Sequence, residues 1–150
     1  MSNAYDDLRN RQQAEFNKLP IGAAFSNKQF NEMMEAWGLT ENDTDKILHI
    51  GGGCYIRKTD RDLVKATATR HHEELQAAIK ADETGEGFVY EMFLSELYNH
   101  EAGYTGDYEE ALDALGYTLE DVSADEKLAR GLMKAWETII EEERRKHEEE

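Results

Sequence analysis

The chain has 150 residues, with 17 Lys and Arg against 33 Asp and Glu, so its formal net charge at pH 7 is −16. This charge argues against unassisted binding to nucleic acid or an anionic membrane, because affinity for phosphates comes from Lys and Arg. One cysteine excludes an internal disulfide framework and any zinc site made of several cysteines. The length suits one domain. Because the protein is strongly negative, its partners are expected to be cationic.

The first predicted elements are two helices. One begins near Asn3 and ends at Pro20. The charged residues of this segment leave no room for the apolar region of a signal peptide, so we expect a cytoplasmic protein. The second begins at Ser26, which stands three residues before Gln29 as in a capping box. Gly38 suits a left-handed stop at its end.

A short hairpin and a long helix follow. Residues 47–50 and 54–56 are rich in β-branched and aromatic side chains and flank three glycines, which is typical of a hairpin. Thr59 or Asp60 is expected to cap a helix over residues 61–81. The side chains expected to face inward on this helix are Leu63, Ala66, Leu75, Ala78 and Ile79.

The second half of the chain predicts further helices. Residues 88–99 are apolar on nearly every side and predict the central buried helix. A loop over 103–106, a short helix over 107–115 and a helical turn over 118–122 follow, and Ser123 with Glu126 has the spacing of a capping box that opens a last helix. After Ile140 only charged residues remain, which predicts a frayed end over 141–150.

These elements predict a mainly α (α+β) fold, a bundle of about five to six helices with one short β-hairpin near residues 47–58. Residues 1–140 are expected to form a single globular domain.

The negative charge is confined to one part of the chain. Residues 1–70 hold ten basic and ten acidic side chains, whereas residues 71–150 hold seven and 23. The 46 residues between Lys80 and Lys127 contain 14 acids and no Lys or Arg. Such a surface either keeps the protein soluble or is directed at a partner.

Several long stretches of sequence resemble a known family. They are NAYDDLRNRQQAEFNKLP, AFSNKQFNEMMEAWGL and GEGFVYEMFLSELYNHEAGYTGD followed by LDALGYT. They resemble an uncharacterised family of small acidic proteins from bacterial conjugative elements and prophages. The resemblance implies a context in which antirestriction and anti-CRISPR inhibitors occur, several of which act as nucleic-acid mimics.

Motifs for catalysis or metal binding are incomplete. The sequence His71-His72-Glu73-Glu74 resembles the start of a zinc-protease motif, but the second His would fall at Gln76. Cys54 follows a glycine run near His49, yet a lone cysteine in a turn is typically a small buried hydrophobe. We therefore expect no metal, no cofactor and no catalytic residue. An enzyme with a buried carboxylate pair or a metal site remains an alternative.

The charge spacing leads to a binding hypothesis. On one straight helix, 14 carboxylates over 46 residues would lie roughly 5 Å apart, whereas a duplex carries one charge per ~1.7 Å. Two or three segments side by side could approach that density. The predicted contact residues are Asp107, Glu109, Glu110, Asp113, Glu120, Asp121, Asp125 and Glu126, with Tyr104, Tyr108 and Tyr117 between them.

The leading prediction is thus a non-enzymatic acidic interaction protein of a mobile element. It would bind the basic surface of a nucleic-acid-binding host protein, such as a CRISPR effector or a restriction enzyme, and inhibit it, with nucleic-acid mimicry as one mechanism. Direct binding to nucleic acid or membrane is not expected. The alternative is an accessory or scaffolding protein whose acidity serves solubility.

Overall fold

A computed structural model describes residues 3–149 of the chain, so the end of the predicted 141–150 segment, Glu150, lies outside the described residues. Over these residues the chain forms eight α-helices, two 3₁₀ turns and a three-stranded antiparallel sheet, which confirms the mainly α (α+β) fold class. The helices are α1 (Ala4–Phe16), α2 (Asn27–Ala36), α3 (Arg61–Ala81), α4 (Phe88–Asn99), α5 (Ala102–Thr105), α6 (Glu109–Ala114), α7 (Leu119–Ala124) and α8 (Glu126–Glu149). The strands are β1 (Gly22–Ala23), β2 (Ile47–Gly51) and β3 (Cys54–Arg57).

The described residues divide into two compact units. The sheet unit contains residues 12–73, and the helical unit contains residues 3–11 together with 74–149. The expectation of a single globular domain over 1–140 stays a prediction, as does fraying of the last residues of α8.

The sheet unit is built on the predicted hairpin. Strands β2 and β3 pair antiparallel, and β1 adds to the other edge of β3, giving the order β1-β3-β2. Gly51, Gly52 and Gly53 all have positive φ, a region that glycine enters without steric cost, and this explains the glycine run. Strand β1 was not predicted because two residues are too few to carry an alternating pattern.

The start of α2 confirms the predicted cap in part. The Ser26 hydroxyl accepts a hydrogen bond from the Gln29 amide at 3.2 Å, while the Gln29 side chain accepts from the amide of Phe25 rather than that of Ser26. Met33 and Met34 then face a small core with Ala24 and Ile47.

The predicted bounds of α3 are confirmed, but its cap and part of its inward face are wrong. Thr59 and Asp60 belong to a 3₁₀ turn, where the Asp60 carboxylate accepts from Arg57 at 2.7 Å. Leu63 is 53% exposed and Ala66 is also exposed. Helical spacing identifies an apolar stripe on a helix, but it does not tell whether another element covers that stripe.

The helical unit is organised around α4, as predicted. Val89, Met92, Phe93 and Leu97 are fully buried. Helix α8 runs in the same direction as α4, since Gly131 near its start faces Val89 and Glu142 near its end contacts Tyr98. A Cβ atom at residue 131 would lie 2.5 Å from Val89 Cγ1, so only glycine permits this close approach.

Two predictions in this unit are wrong. The segment expected as a loop over 103–106 contains α5, which begins after Glu101, a residue held in the left-handed region at φ 51°. Ser123 lies inside α7 and does not cap α8. Asp125 caps α8 instead, because its carboxylate accepts from the amides of Lys127 and Leu128.

Candidate interaction surface

At the connection between α3 and α4, charged side chains stabilise the backbone. Asp82 accepts hydrogen bonds from the amides of Gly85, Gly87 and Val89 at 2.9–3.1 Å. Burial by itself would raise the pKa of the Asp82 carboxyl, but the bonds from Val89, Gly85 and Gly87 outweigh it and hold the pKa below its usual range.

Three cations of α8 bind the same stretch of backbone. Lys127 donates to the carbonyl of Ile79 at 2.6 Å, Arg130 donates to that of Thr84, and Lys134 donates to that of Glu86. These cations therefore stabilise the backbone around the α3–α4 connection. Among the described residues they form no ion pair with the carboxylates of α6 and α7.

Three of the eight predicted contact carboxylates bind backbone amides at helix starts, and a fourth, Glu126, forms an exposed ion pair. Asp107 accepts from the Glu109 amide, and Asp125 caps α8 as described above. Asp121 and Thr118 form a reciprocal capping box, and the bonds from Thr118 hold the pKa of the Asp121 carboxyl below its usual range. Glu126 pairs with Arg130 at 3.2 Å.

The other four predicted carboxylates are exposed and, among the residues that the structure describes, have no ion-pair partner. They are Glu109, Glu110, Asp113 and Glu120, and we call them the α6–α7 acidic surface. Asp113 lies three and four residues after the two glutamates, so these three side chains share one face of α6. Glu109 and Asp113 also line a groove of about 210 Å³ that reaches Thr118 and Leu119 at the start of α7.

The three predicted tyrosines lie in different environments. The Tyr108 ring packs edge-on against that of Trp136, with ring centroids 5.6 Å apart, and the centroids of the Tyr117 and Phe93 rings are 6.2 Å apart. Burial, followed by the charges of Asp125 and Asp121, raises the pKa of Tyr117. Tyr108 and Tyr117 thus pack against the core while still lining the groove, whereas Tyr104 is 88% exposed.

A second concave site was missed by the sequence analysis. A cleft of about 400 Å³ lies between the end of α4, the short helix α5 and the second half of α8, and we call it the Tyr104 cleft. Its lining includes Leu97, Tyr98, Glu101, Tyr104, Ile139 and Glu142. Glu142 and Ile139 come from α8, about 40 positions away from the others, so no local motif could have brought them together.

The enzyme alternative requires either a metal site or a pair of buried carboxylates. No group of three His, Cys, Asp or Glu side chains among them could hold a metal ion. Glu96 is a buried carboxylate, and it accepts from Tyr5 at 3.3 Å and from Asn99 at 3.1 Å. Burial first, and then the Glu96 charge, raises the pKa of Tyr5 to about 12. No described helix is both long enough and apolar enough to cross a membrane.

Comparison with known proteins identifies the family. The sequence model of the Family of unknown function (DUF7659) matches residues 4–138. The chain belongs to this family. No curated protein and no solved structure matches it. The matched residues include α4 to α7 and about the first half of α8, so the α6–α7 acidic surface lies within the family's domain. The α8 side chains that line the Tyr104 cleft, Ile139 and Glu142 among them, lie beyond the matched residues.

Proposed function

We propose that the chain is a non-enzymatic interaction protein that binds a basic, nucleic-acid-binding surface of a host protein and inhibits it. In keeping with the resemblance described above, we place this family among proteins of conjugative elements and prophages, and the activity among those of anti-CRISPR or antirestriction inhibitors. The partner would be a protein such as a CRISPR effector or a restriction enzyme.

The observation that supports this proposal is the α6–α7 acidic surface. Its four carboxylates are exposed and have no ion-pair partner among the described residues. A basic partner would therefore not have to displace an internal cation. Complementary charge of this kind accelerates association and selects among partners.

The local charge density also favours the proposal. Helix α6 has six residues and carries three of these carboxylates, so at about 1.5 Å rise per residue their mean spacing along the axis is about 3 Å. This spacing is closer to the ~1.7 Å charge spacing of a duplex than the roughly 5 Å expected if the 14 carboxylates were spread evenly along one helix. The match extends over a short distance, which suits competition for a few phosphate-binding side chains.

The test begins with capture of partners from a bacterial host at low and high salt. We expect a captured protein that binds nucleic acid, and we expect the chain to displace labelled nucleic acid from it in a salt-sensitive manner. The triple variant Glu109→Gln, Glu110→Gln, Asp113→Asn should compete at least about tenfold less well.

The matched control removes three exposed carboxylates elsewhere. Glu32, Glu35 and Glu41 are exposed side chains of the sheet unit, and changing all three to Gln alters the net charge by the same amount. This variant should compete like the unmodified chain. If the two triple variants compete equally, or if the partner has no basic groove, the accessory or scaffolding alternative is favoured.

A further inference from the structure

The Tyr104 cleft combines an apolar floor with exposed aromatic walls. Leu97 and Ile139 are buried and lie at its base, and Tyr98 is 47% exposed at its side. Among the described residues no ring stacks on Tyr104, which is the most exposed large hydrophobic side chain of the helical unit. An exposed tyrosine at the edge of a cavity of this size is typical of a binding site.

One carboxylate of the cleft, that of Glu142, is held by a hydrogen bond. The Tyr98 hydroxyl donates to Glu142 Oε1 at 2.6 Å, which fixes one oxygen of Glu142. Burial, and then this hydrogen bond, raises the pKa of Tyr98, as expected for a hydroxyl that donates to a carboxylate.

The backbone of Glu101 joins the end of α4 to α5. Its amide donates to the carbonyl of Tyr98 at 3.1 Å, and its own carbonyl accepts from the amides of Tyr104 and Thr105. These bonds fix the backbone position of Glu101, and its exposed side chain lines the cleft.

The charge of the cleft is negative. Its lining carries the carboxylates of Glu101, Glu142 and Glu143 against the single ammonium of Lys146. The Lys146 ammonium lies 3.3 Å from a carboxylate oxygen of Glu143. Because the lysine side chain is largely exposed, this ion pair contributes little to stability. Glu101 and Glu142 have no cationic partner among the described residues, and the cleft is complementary to a cation with an apolar stem.

From this geometry we propose that the Tyr104 cleft takes one arginine side chain of a protein partner. The guanidinium would lie on the Tyr104 ring and donate to Glu101 and Glu142, while its methylene groups would pack on Leu97 and Ile139. A planar guanidinium can stack on an aromatic ring and donate hydrogen bonds to two carboxylates at the same time. An ammonium group does this less well, because it is a compact and strongly hydrated charge. The inference rests on the proposed function in one respect, namely that the partner is basic.

The test uses nuclear magnetic resonance of the ¹⁵N-labelled full chain with the peptide acetyl-Ala-Arg-Ala-amide. We expect the amide signals of Gly103 and Glu101 to shift with a dissociation constant near the millimolar range. The peptide with citrulline in place of arginine has nearly the same shape without the charge, and it should bind about tenfold more weakly. The lysine peptide should fall between the two.

Variants locate the binding. Tyr104→Ala and Glu101→Gln change exposed side chains and should each weaken arginine-peptide binding severalfold, whereas the control Glu83→Gln at the exposed α3–α4 connection should leave it unchanged. Equal binding of the citrulline peptide, shifts confined to α6 and α7, or no shift of the cleft amides at 10 mM peptide, a concentration on the order of ten times the expected constant, would each overturn the inference.

The two proposals can fail separately. If the Tyr104→Ala variant still competes fully with nucleic acid while the α6 triple variant does not, and the arginine peptide does not bind, the cleft inference is wrong and the proposed function stands. If the cleft binds arginine but the captured partner has no nucleic-acid-binding surface, the proposed function is wrong and the cleft inference stands.

Discussion

Two regions of the helical unit carry many charges and use them differently. At the α3–α4 connection, Asp82 accepts from three backbone amides, and three cations of α8 donate to nearby carbonyls. On α6 and at the start of α7, four carboxylates are exposed and lack ion-pair partners among the described residues. The acidic tract looks uniform in sequence, but backbone groups near each side chain decide which charges stabilise the fold and which are available to a partner.

The largest expected effect is at Asp82. Replacing it with Ala would leave three backbone amides at the start of α4 without their acceptor, so we expect the free energy of unfolding to fall by about 2–3 kcal/mol. Urea denaturation followed by circular dichroism measures this loss. The control Glu83→Ala changes an exposed neighbour and should cost less than about 0.5 kcal/mol. Equal losses for the two variants would contradict the structural role of Asp82.

The same carboxylate predicts a pH dependence. The pKa of Asp82 is lower in the folded protein than in the unfolded chain, so its stabilisation is complete above the unfolded value and is lost as the pH falls through the folded one. We expect the stability of the unmodified chain to decline below about pH 4. Asp82→Asn cannot titrate, and the difference in stability between the two proteins should shrink at low pH. A difference that does not depend on pH would count against the lowered pKa.

A smaller effect is expected at the capping box of α7. Thr118→Ala removes the hydroxyl that accepts from the Asp121 amide at 3.1 Å, and it should cost about 1 kcal/mol. Thr118→Ser keeps that hydroxyl and serves as the control. If Thr118→Ala and Thr118→Ser lost the same stability, the hydroxyl of Thr118 would not stabilise the start of α7, and the contrast with the exposed carboxylates of α6 would be lost.

The smallest change in stability is expected on the α6–α7 acidic surface. Because Glu109 and Asp113 repel each other at i, i+4, the variant Asp113→Asn should be unchanged or more stable by about 0.2–0.5 kcal/mol. Thermal denaturation at low salt measures this, and the gain should decrease at high salt. A clear loss of stability would mean that the carboxylate has a structural partner.

Much of the fold could be predicted from local patterns. The bounds of α3 and α4, the hairpin around Gly51–Gly53 and the left-handed stop at Gly38 are confirmed. Each depends on neighbours in sequence, such as a run of apolar residues or a glycine that accepts positive φ. Helix α5 was missed because its four residues include a glycine and follow a left-handed Glu101, which no periodicity indicates.

The candidate site was predicted less completely. The α6 carboxylates were found because their charge is visible in sequence, and Tyr104 was found among the glycines. The sequence could not separate Glu110, which is exposed and has no ion pair within residues 3–149, from Asp121, which caps a helix. Capping depends on the φ and ψ of the residues that follow, and the same two residue types occur in both roles.

The sequence by itself determined that this protein is mainly helical and that its negative charge belongs to the second half of the chain. Both properties follow from the order of residue types along the chain. Tertiary structure decided that α4 and α8 run in the same direction and that Glu142 and Tyr98 meet beside Tyr104. Packing of distant segments made that cleft, because burial of the apolar faces of α4 and α8 sets which of their polar side chains become neighbours.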